Sequence, residues 1–380
     1  MDQINSGSGQ RIALPSQKRR KILYVQPGTQ TFAGIERVVD TICSQLMEKY
    51  SDAFDVDVLY VSAHENRPET AKYTAIDRRP QGRLQLMKTF REVIAAKDYD
   101  LVIVPQIEPA VIAMVSCLGL RRNFVVHLHG NPKRECSHIK AKILFFLMKT
   151  YFLRRMRYVF GTSPRQLSSF DAMFESKVPN WWVPNPVRRF DDVEVANRGQ
   201  TGYVTFVNVG RFSYQKGQDI LVRAFADVYR QRKNARLKIV GHGAGETELR
   251  AEIRQLGLDD VVSIEHLPDN PQPALASSDV YVSTSRWEGW SLAICEALRF
   301  GLPVVSTDCE FGPSDILVDT RLGRLVSADG GPSLVSAMIY YCDNLATEQQ
   351  NADYRRSFID QYSEEQVVDI HAKALLAAAG

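Results

Sequence analysis

The sequence predicts an α/β protein built from two consecutive Rossmann-like, doubly wound domains facing across a cleft. Three observations predict it. Short runs rich in Val, Ile, Leu and aromatic residues alternate with helical stretches, and this alternation occurs in two successive series. A polar, Pro-bearing stretch from Val183 to Gln200 separates the two series. At 380 residues the chain is long for one core and sufficient for two domains.

Met1 to about Arg20 is rich in Ser, Gly and Gln and lacks an apolar segment. It predicts a disordered lead-in and no signal peptide. The first strand is Ile22–Val25, followed by a loop bracketed by Gly28 and Gly34 and a helix from about Ile35 to Tyr50. Strands near 55–61, 101–104, 124–128 and 157–161 complete a first domain over 21–187. The second series opens at Tyr203–Val209 and continues with strands near 236–240, 261–264, 279–283 and 303–306, a domain over 200–360. A last helix covers about Ser363–Ala378.

Composition narrows the function classes. The hydrophobic share of 44% and charged share of 24% are those of a soluble globular protein. The net charge of +3 conceals an asymmetry, with 29 Lys/Arg against 17 Asp/Glu in residues 1–190 and 18 against 27 in residues 191–380. Cys43, Cys117, Cys136, Cys295, Cys309 and Cys342 form no C-x-x-C pair, which predicts a reduced, cytoplasmic setting. No run approaches the roughly 20 apolar residues of a membrane span. No D-x-D, H-E-x-x-H or His/Cys cluster suggests a metal.

The segment from Ser285 to Leu298 carries two glutamates, Glu288 and Glu296, eight positions apart. It reads as strand, tight loop and helix, with Glu288 in the loop and Glu296 about two turns inside the helix. The helix start at Gly289, Trp290, Ser291 and Leu292 offers amide N–H groups and a positive dipole end to a phosphate. Gly289 lets a ligand approach the backbone. The carboxylates can accept hydrogen bonds from ligand hydroxyls. In isolation the same pair would read as solvated helix-surface glutamates. Arg211 and Lys216 flank another loop between a strand and a helix. A guanidinium fork and an ammonium there can grip a diphosphate and stabilise the charge of its departure, or form a plain solvated basic pair.

Five motifs, in order along the chain, resemble retaining glycosyltransferases of family 4, which have the GT-B fold. Ser285–Leu298 resembles their E-x7-E signature, and Val209–Gly217 their G-R-x-x-x-x-K-G loop. Gly28–Val39 is similar to their first loop, and His127–Pro132 to the histidine-glycine turn of the acceptor domain. Gly312–Ile316 resembles G-P-x-E-I, with Asp315 where glutamate is usual. The resemblance implies donor hydroxyls on Glu288 (hexose) and Glu296 (ribose), and the Gly28–Gly34 loop over the diphosphate and sugar. It implies that His129 faces the sugar across the cleft; His127, on the same strand face, is the competing choice. It implies that backbone groups near Val240–Gly243 and Glu265–Pro268 hold the base, with no chemistry assigned to His242 or His266. The last helix would return to the first domain. The resemblance also implies transfer without a metal or other cofactor, the departing diphosphate taking the acceptor's proton.

Lys133 to Arg157 mixes Lys140, Lys142, Lys149, Arg154, Arg155 and Arg157 with a large apolar content. A basic amphipathic helix of this kind can lie on an anionic bilayer, or be a core helix with a solvated basic side. No stacking-aromatic motif accompanies the cations, so nucleic acid is not expected as a partner. The expectation is a cytoplasmic transferase, peripheral on the inner face of the cell membrane. It would move a hexose or N-acetylhexosamine from a nucleotide sugar, UDP-linked by preference or GDP-mannose, to a glycan or lipid-linked acceptor in surface polysaccharide assembly. The rival readings are a non-catalytic nucleotide-sugar-binding or scaffolding protein and a GT-B nucleotide-sugar epimerase.

Overall fold

The computed structural model describes residues 18–29, 34–63, 67, 71–136, 138–190, 202–267 and 270–380. Most of the expected disordered lead-in, the centre of the Gly28–Gly34 loop and the linker over 191–201 lie outside the described residues. The chain forms two compact units, one reaching to Pro186 and taking in Tyr362–Gly380, the other Val187–Gln361.

The first unit runs β1 (Arg20–Val25), α1 (Gly34–Lys49), β2 (Phe54–Tyr60), β3 (Thr74–Asp77), α2 (Arg83–Ala96), β4 (Leu101–Pro105) and α3 (Ile107–Ser116). It continues with β5 (Phe124–Leu128), α4 (Pro132–Glu135), α5 (Ile139–Leu147), β6 (Met156–Gly161), α6 (Pro164–Phe174) and β7 (Asn180–Trp182). The strands pair in parallel in the order β3-β2-β1-β4-β5-β6-β7, so strand order reverses between β1 and β4. Helices cover both faces of such a sheet, which is why β4 and β5 are buried along their whole length, β4 as an unbroken apolar run and β5 as one interrupted by the buried His127.

The second unit holds β8 (Val204–Val209), α7 (Gln218–Gln231), β9 (Ala235–Val240), α8 (Glu246–Gln255), β10 (Val262–Glu265), α9 (Gln272–Ala276) and β11 (Val280–Ser283). It closes with α10 (Leu292–Arg299), β12 (Val304–Thr307), α11 (Pro313–Ile316), β13 (Gly323–Val326), α12 (Gly331–Gln349) and α13 (Ala352–Ile359). Its parallel sheet has the order β10-β9-β8-β11-β12-β13, reversing between β8 and β11. Arg355 is fully buried and anchors α13. Its guanidinium donates to the carbonyls of Arg321 (2.6 Å) and Glu348 (2.8 Å) and to the Glu348 carboxylate (2.6 Å).

The last helix, α14 (Glu364–Ala379), packs in the first unit against α1. Asp369 accepts from Lys49 Nζ at 2.6 Å and Tyr50 Oη at 2.7 Å, while Arg157 donates to the Ala378 carbonyl at 3.3 Å. Three edge strands, β3, β7 and β13, escaped the sequence reading. Each has only three or four residues, with exposed positions, and so presents no continuous apolar run. The single helix expected over 133–157 is instead broken. His138 Nδ1 accepts from Ala141 N at 3.1 Å and starts α5 afresh, and a π turn and a 3-10 turn lead into β6.

Candidate functional site

The loops after β8 and β11 leave the sheet at its reversal point, where open α/β sheets bind ligands beyond the strands' carboxyl ends. The β11 loop carries Glu288, which is buried. Its Oε1 accepts from Lys216 Nζ at 2.6 Å and from Ser285 Oγ at 2.7 Å. The backbone around it is pinned as well. Glu288 N donates to the Glu310 carbonyl at 2.7 Å, and Phe311 N donates to the Glu288 carbonyl at 2.8 Å.

Lys216 comes from the β8 loop, one residue before Gly217, the N-cap of α7. Gly217 has φ +64°, and a Cβ there would lie 2.1 Å from the Thr284 carbonyl oxygen. Only glycine allows this approach, which seats the lysine loop on the root of the glutamate loop. Arg286 adds a second stitch, donating to both carboxylate oxygens of Asp219 at 2.9 and 2.7 Å.

Helix α10 begins at Leu292, so Glu296 falls in its second turn, closer to the helix start than the expected two full turns. The loop takes up more of the interval because Gly312 packs against it: a Cβ on Gly312 would sit 3.1 Å from Trp290 Cα and 3.2 Å from the Gly289 carbonyl. Trp290 and Ser291 are buried, and the Ser291 side chain makes no cap to the first-turn amides. Glu296 Oε1 lies 2.8 Å from Arg188 Nε, a partner the sequence reading missed. The buried Tyr281 phenol is pushed up by burial and then by the charges of Glu288 and Glu296. Both carboxylates thus act on one ring.

Arg211 is exposed and its guanidinium makes no ion pair or hydrogen bond among the described residues. Lys216 is engaged with Glu288. His266 pairs with Glu246 at 2.9 Å, and Asp315 Oδ2 turns back to accept from Gly312 N at 3.3 Å. Ser285 lay inside the E-x7-E segment but was given no role, and Arg188 carried no motif. Their signal was positional: a hydroxyl three residues before Glu288, and a cation directly after the Pro-rich Val183–Val187 stretch.

His129, Gly28 and Gly34 belong to the first unit. His129 directly follows β5 and packs against His127, ring centroids 4.0 Å apart, while His127 lies 5.6 Å from His371 of α14. All three imidazoles are buried, and none of their nitrogens has a hydrogen-bond partner among the described residues. Burial lowers the pKa of His127 and takes His129 and His371 to about 3, so the cluster is neutral. No His, Cys, Asp and Glu group among the described residues is arranged to hold a metal ion. Among the described residues, a Cβ on Gly28 would reach only ordinary contact with Val61 at 3.7 Å, and one on Gly34 would meet nothing within 4 Å. The described packing therefore does not require glycine at either position.

Two family models divide the chain between them. Residues 32–188 match Glycosyltransferase Family 4, and residues 191–356 match Glycosyl transferases group 1. An uncharacterized glycosyltransferase of Methanocaldococcus jannaschii is 26% identical over 244 residues, 62% of this chain and 60% of that protein. The amylovoran biosynthesis glycosyltransferase AmsD of Erwinia amylovora is 24% identical over 359 residues, 88% of this chain and 95% of that one. Among solved structures, HepE of Anabaena in complex with UDP and glucose superposes with a TM-score of 0.78 at 19% identity, covering 94% of this chain and 100% of its own. That likeness shows a GT-B fold.

Proposed function

Because the chain belongs to the GT4-type glycosyltransferases, we propose that it transfers a hexose or N-acetylhexosamine from a nucleotide sugar, with retention, to a glycan or lipid-linked acceptor. The observation that carries this reading is the Lys216–Glu288 pair at the reversal point of the second sheet. An ammonium has three N–H donors, so Lys216 keeps two for a diphosphate while it holds Glu288. Amides at the start of α10 favour the same anion. Both bonds to Glu288 fall on Oε1, leaving Oε2 for a hexose hydroxyl, and Glu296 would take the ribose hydroxyls.

In the reaction, the bond from the anomeric carbon to the diphosphate oxygen breaks. The acceptor oxygen bonds that carbon on the same face, and its proton passes to the departing diphosphate. Lys216 and the helix amides stabilise the leaving charge, and Arg211 becomes available to it from the exposed side. No metal takes part in this scheme. UDP is the favoured nucleotide of the donor, in keeping with the UDP and glucose held by HepE, and surface polysaccharide is the favoured product, in keeping with the amylovoran of AmsD.

The test is a thermal-shift panel of UDP, GDP and ADP sugars, since a ligand bound only by the folded state raises Tm. NMR of the product's anomeric proton, formed in the presence of EDTA, follows. A UDP-sugar response and a retained anomer support the proposal. A GDP-mannose response alone would reassign the donor, an inverted anomer would remove retention, and silence to every nucleotide sugar would remove the whole reading.

A further inference from the structure

Helix α5 is apolar on two opposite sides. Ala141 and Phe145, with Met148 just beyond, face the core of the first unit. Ile139, Ile143 and Phe146 are 70%, 56% and 66% exposed. At about 100° per residue, these three lie within roughly 60° of one another, opposite the buried side. Three large apolar side chains on one exposed stripe are unusual for a folded surface and mark an interaction site.

What surrounds the stripe selects the partner. Lys140 flanks it on one side and Lys142 on the other, and both are exposed. Lys149, on the same side as Lys142, is exposed as well and reaches Glu175 at 2.5 Å. From Cys136 to Phe170 the chain contains no Asp or Glu at all. A protein partner matching this face would need an apolar groove ringed by acids. An anionic bilayer supplies both features everywhere on its surface: acyl chains for the stripe and lipid phosphates for the lysines. The helix is also too short and too charged to cross, and no helix among the described residues is long and apolar enough to do so.

We infer that α5 is a membrane-docking helix, seating Ile139, Ile143 and Phe146 in the headgroup boundary of an anionic bilayer with Lys140 and Lys142 on lipid phosphates. The inference does not depend on which donor the second unit uses. It gives the first unit a place to meet an acceptor carried on a lipid.

Co-sedimentation of the full chain with phosphatidylcholine vesicles, with and without phosphatidylglycerol, tests it. The chain should pellet with the anionic vesicles and lose binding as ionic strength rises. Lys140→Glu with Lys142→Glu should weaken partition by more than the roughly fivefold expected for each cation near the surface. Ile143→Ser with Phe146→Ser should abolish it with Tm unchanged, because these side chains are exposed. A wild-type chain left in the supernatant, or bound equally to neutral vesicles, would overturn the inference. So would a homodimer in sedimentation velocity that Phe146→Ser dissociates, which would make the face a self-interface.

Discussion

Arg188 holds Glu296 from outside the α10 helix, with Nε 2.8 Å from the carboxylate Oε1. The arginine sits at the start of the second unit and its ring neighbour is Phe190, 4.8 Å beneath the guanidinium. The ion pair sets a positive charge against the carboxylate proposed to take the ribose hydroxyls. Arg188→Ala should therefore raise the donor KM about tenfold, equivalent to about 1.4 kcal/mol, while kcat changes little. Combined with Glu296→Ala, the two effects should fall short of additive. Full additivity in the double-mutant cycle would separate Arg188 from donor binding.

Lys216 has a heavier role if it meets the leaving group. Lys216→Ala should lower kcat by about 10²–10³, the range seen when one preorganised charge-stabilising donor is lost. Among the described residues, the substitution also leaves buried Glu288 with Ser285 as its remaining side-chain donor. Lys216→Met and Glu288→Gln together would keep packing without stranding a charge, and should fold with near-normal Tm yet remain inactive. Steady-state kinetics with a Tm control decides this. A scaffolding protein would instead show Glu288→Ala changing nucleotide-sugar affinity with no turnover in any form.

Gly217→Ala tests the seating of the two loops. The residue needs φ +64°, and its Cβ would collide with the Thr284 carbonyl. The backbone term alone exceeds about 1 kcal/mol where an alanine is forced to positive φ, and the clash adds to it. Tm should fall by at least about 2–4 °C, and activity should fall with it. Gly34→Ala is the control: nothing among the described residues lies within 4 Å of its added methyl, so Tm should hold.

Legibility followed burial. Strands such as Leu101–Pro105 and Phe124–Leu128 are covered on both faces, so they are apolar but for His127 and could be read directly. Glu288 and Lys216 were found because glycine-bearing strand-end loops surround them, and they do meet. Arg188 was not found, because an ion pair between distant segments leaves no periodic trace in either one. His371 was equally hidden. Its burial depends on α14 folding against the first unit, which no local pattern of residues 364–379 announces.

The histidine cluster makes stability depend on pH in a window that can be stated. His129 and His371 carry folded-state pKa values near 3, lowered by burial, against about 6.5 in an unfolded chain. Below pH 6.5 the unfolded state therefore binds protons that the folded cluster refuses. Stability is fully present above that value and falls as pH drops toward 3. At pH 5 each such histidine removes about 2 kcal/mol. Two like neighbours in contact with His127 make its protonation harder still. Urea unfolding at pH 7.5 and pH 5.0 should show the loss in the wild type, with a distinctly smaller loss in His371→Leu, which removes one titrating ring from the buried face of α14. Equal losses in the two proteins would mean that His371 titrates normally and that acid acts elsewhere in the molecule.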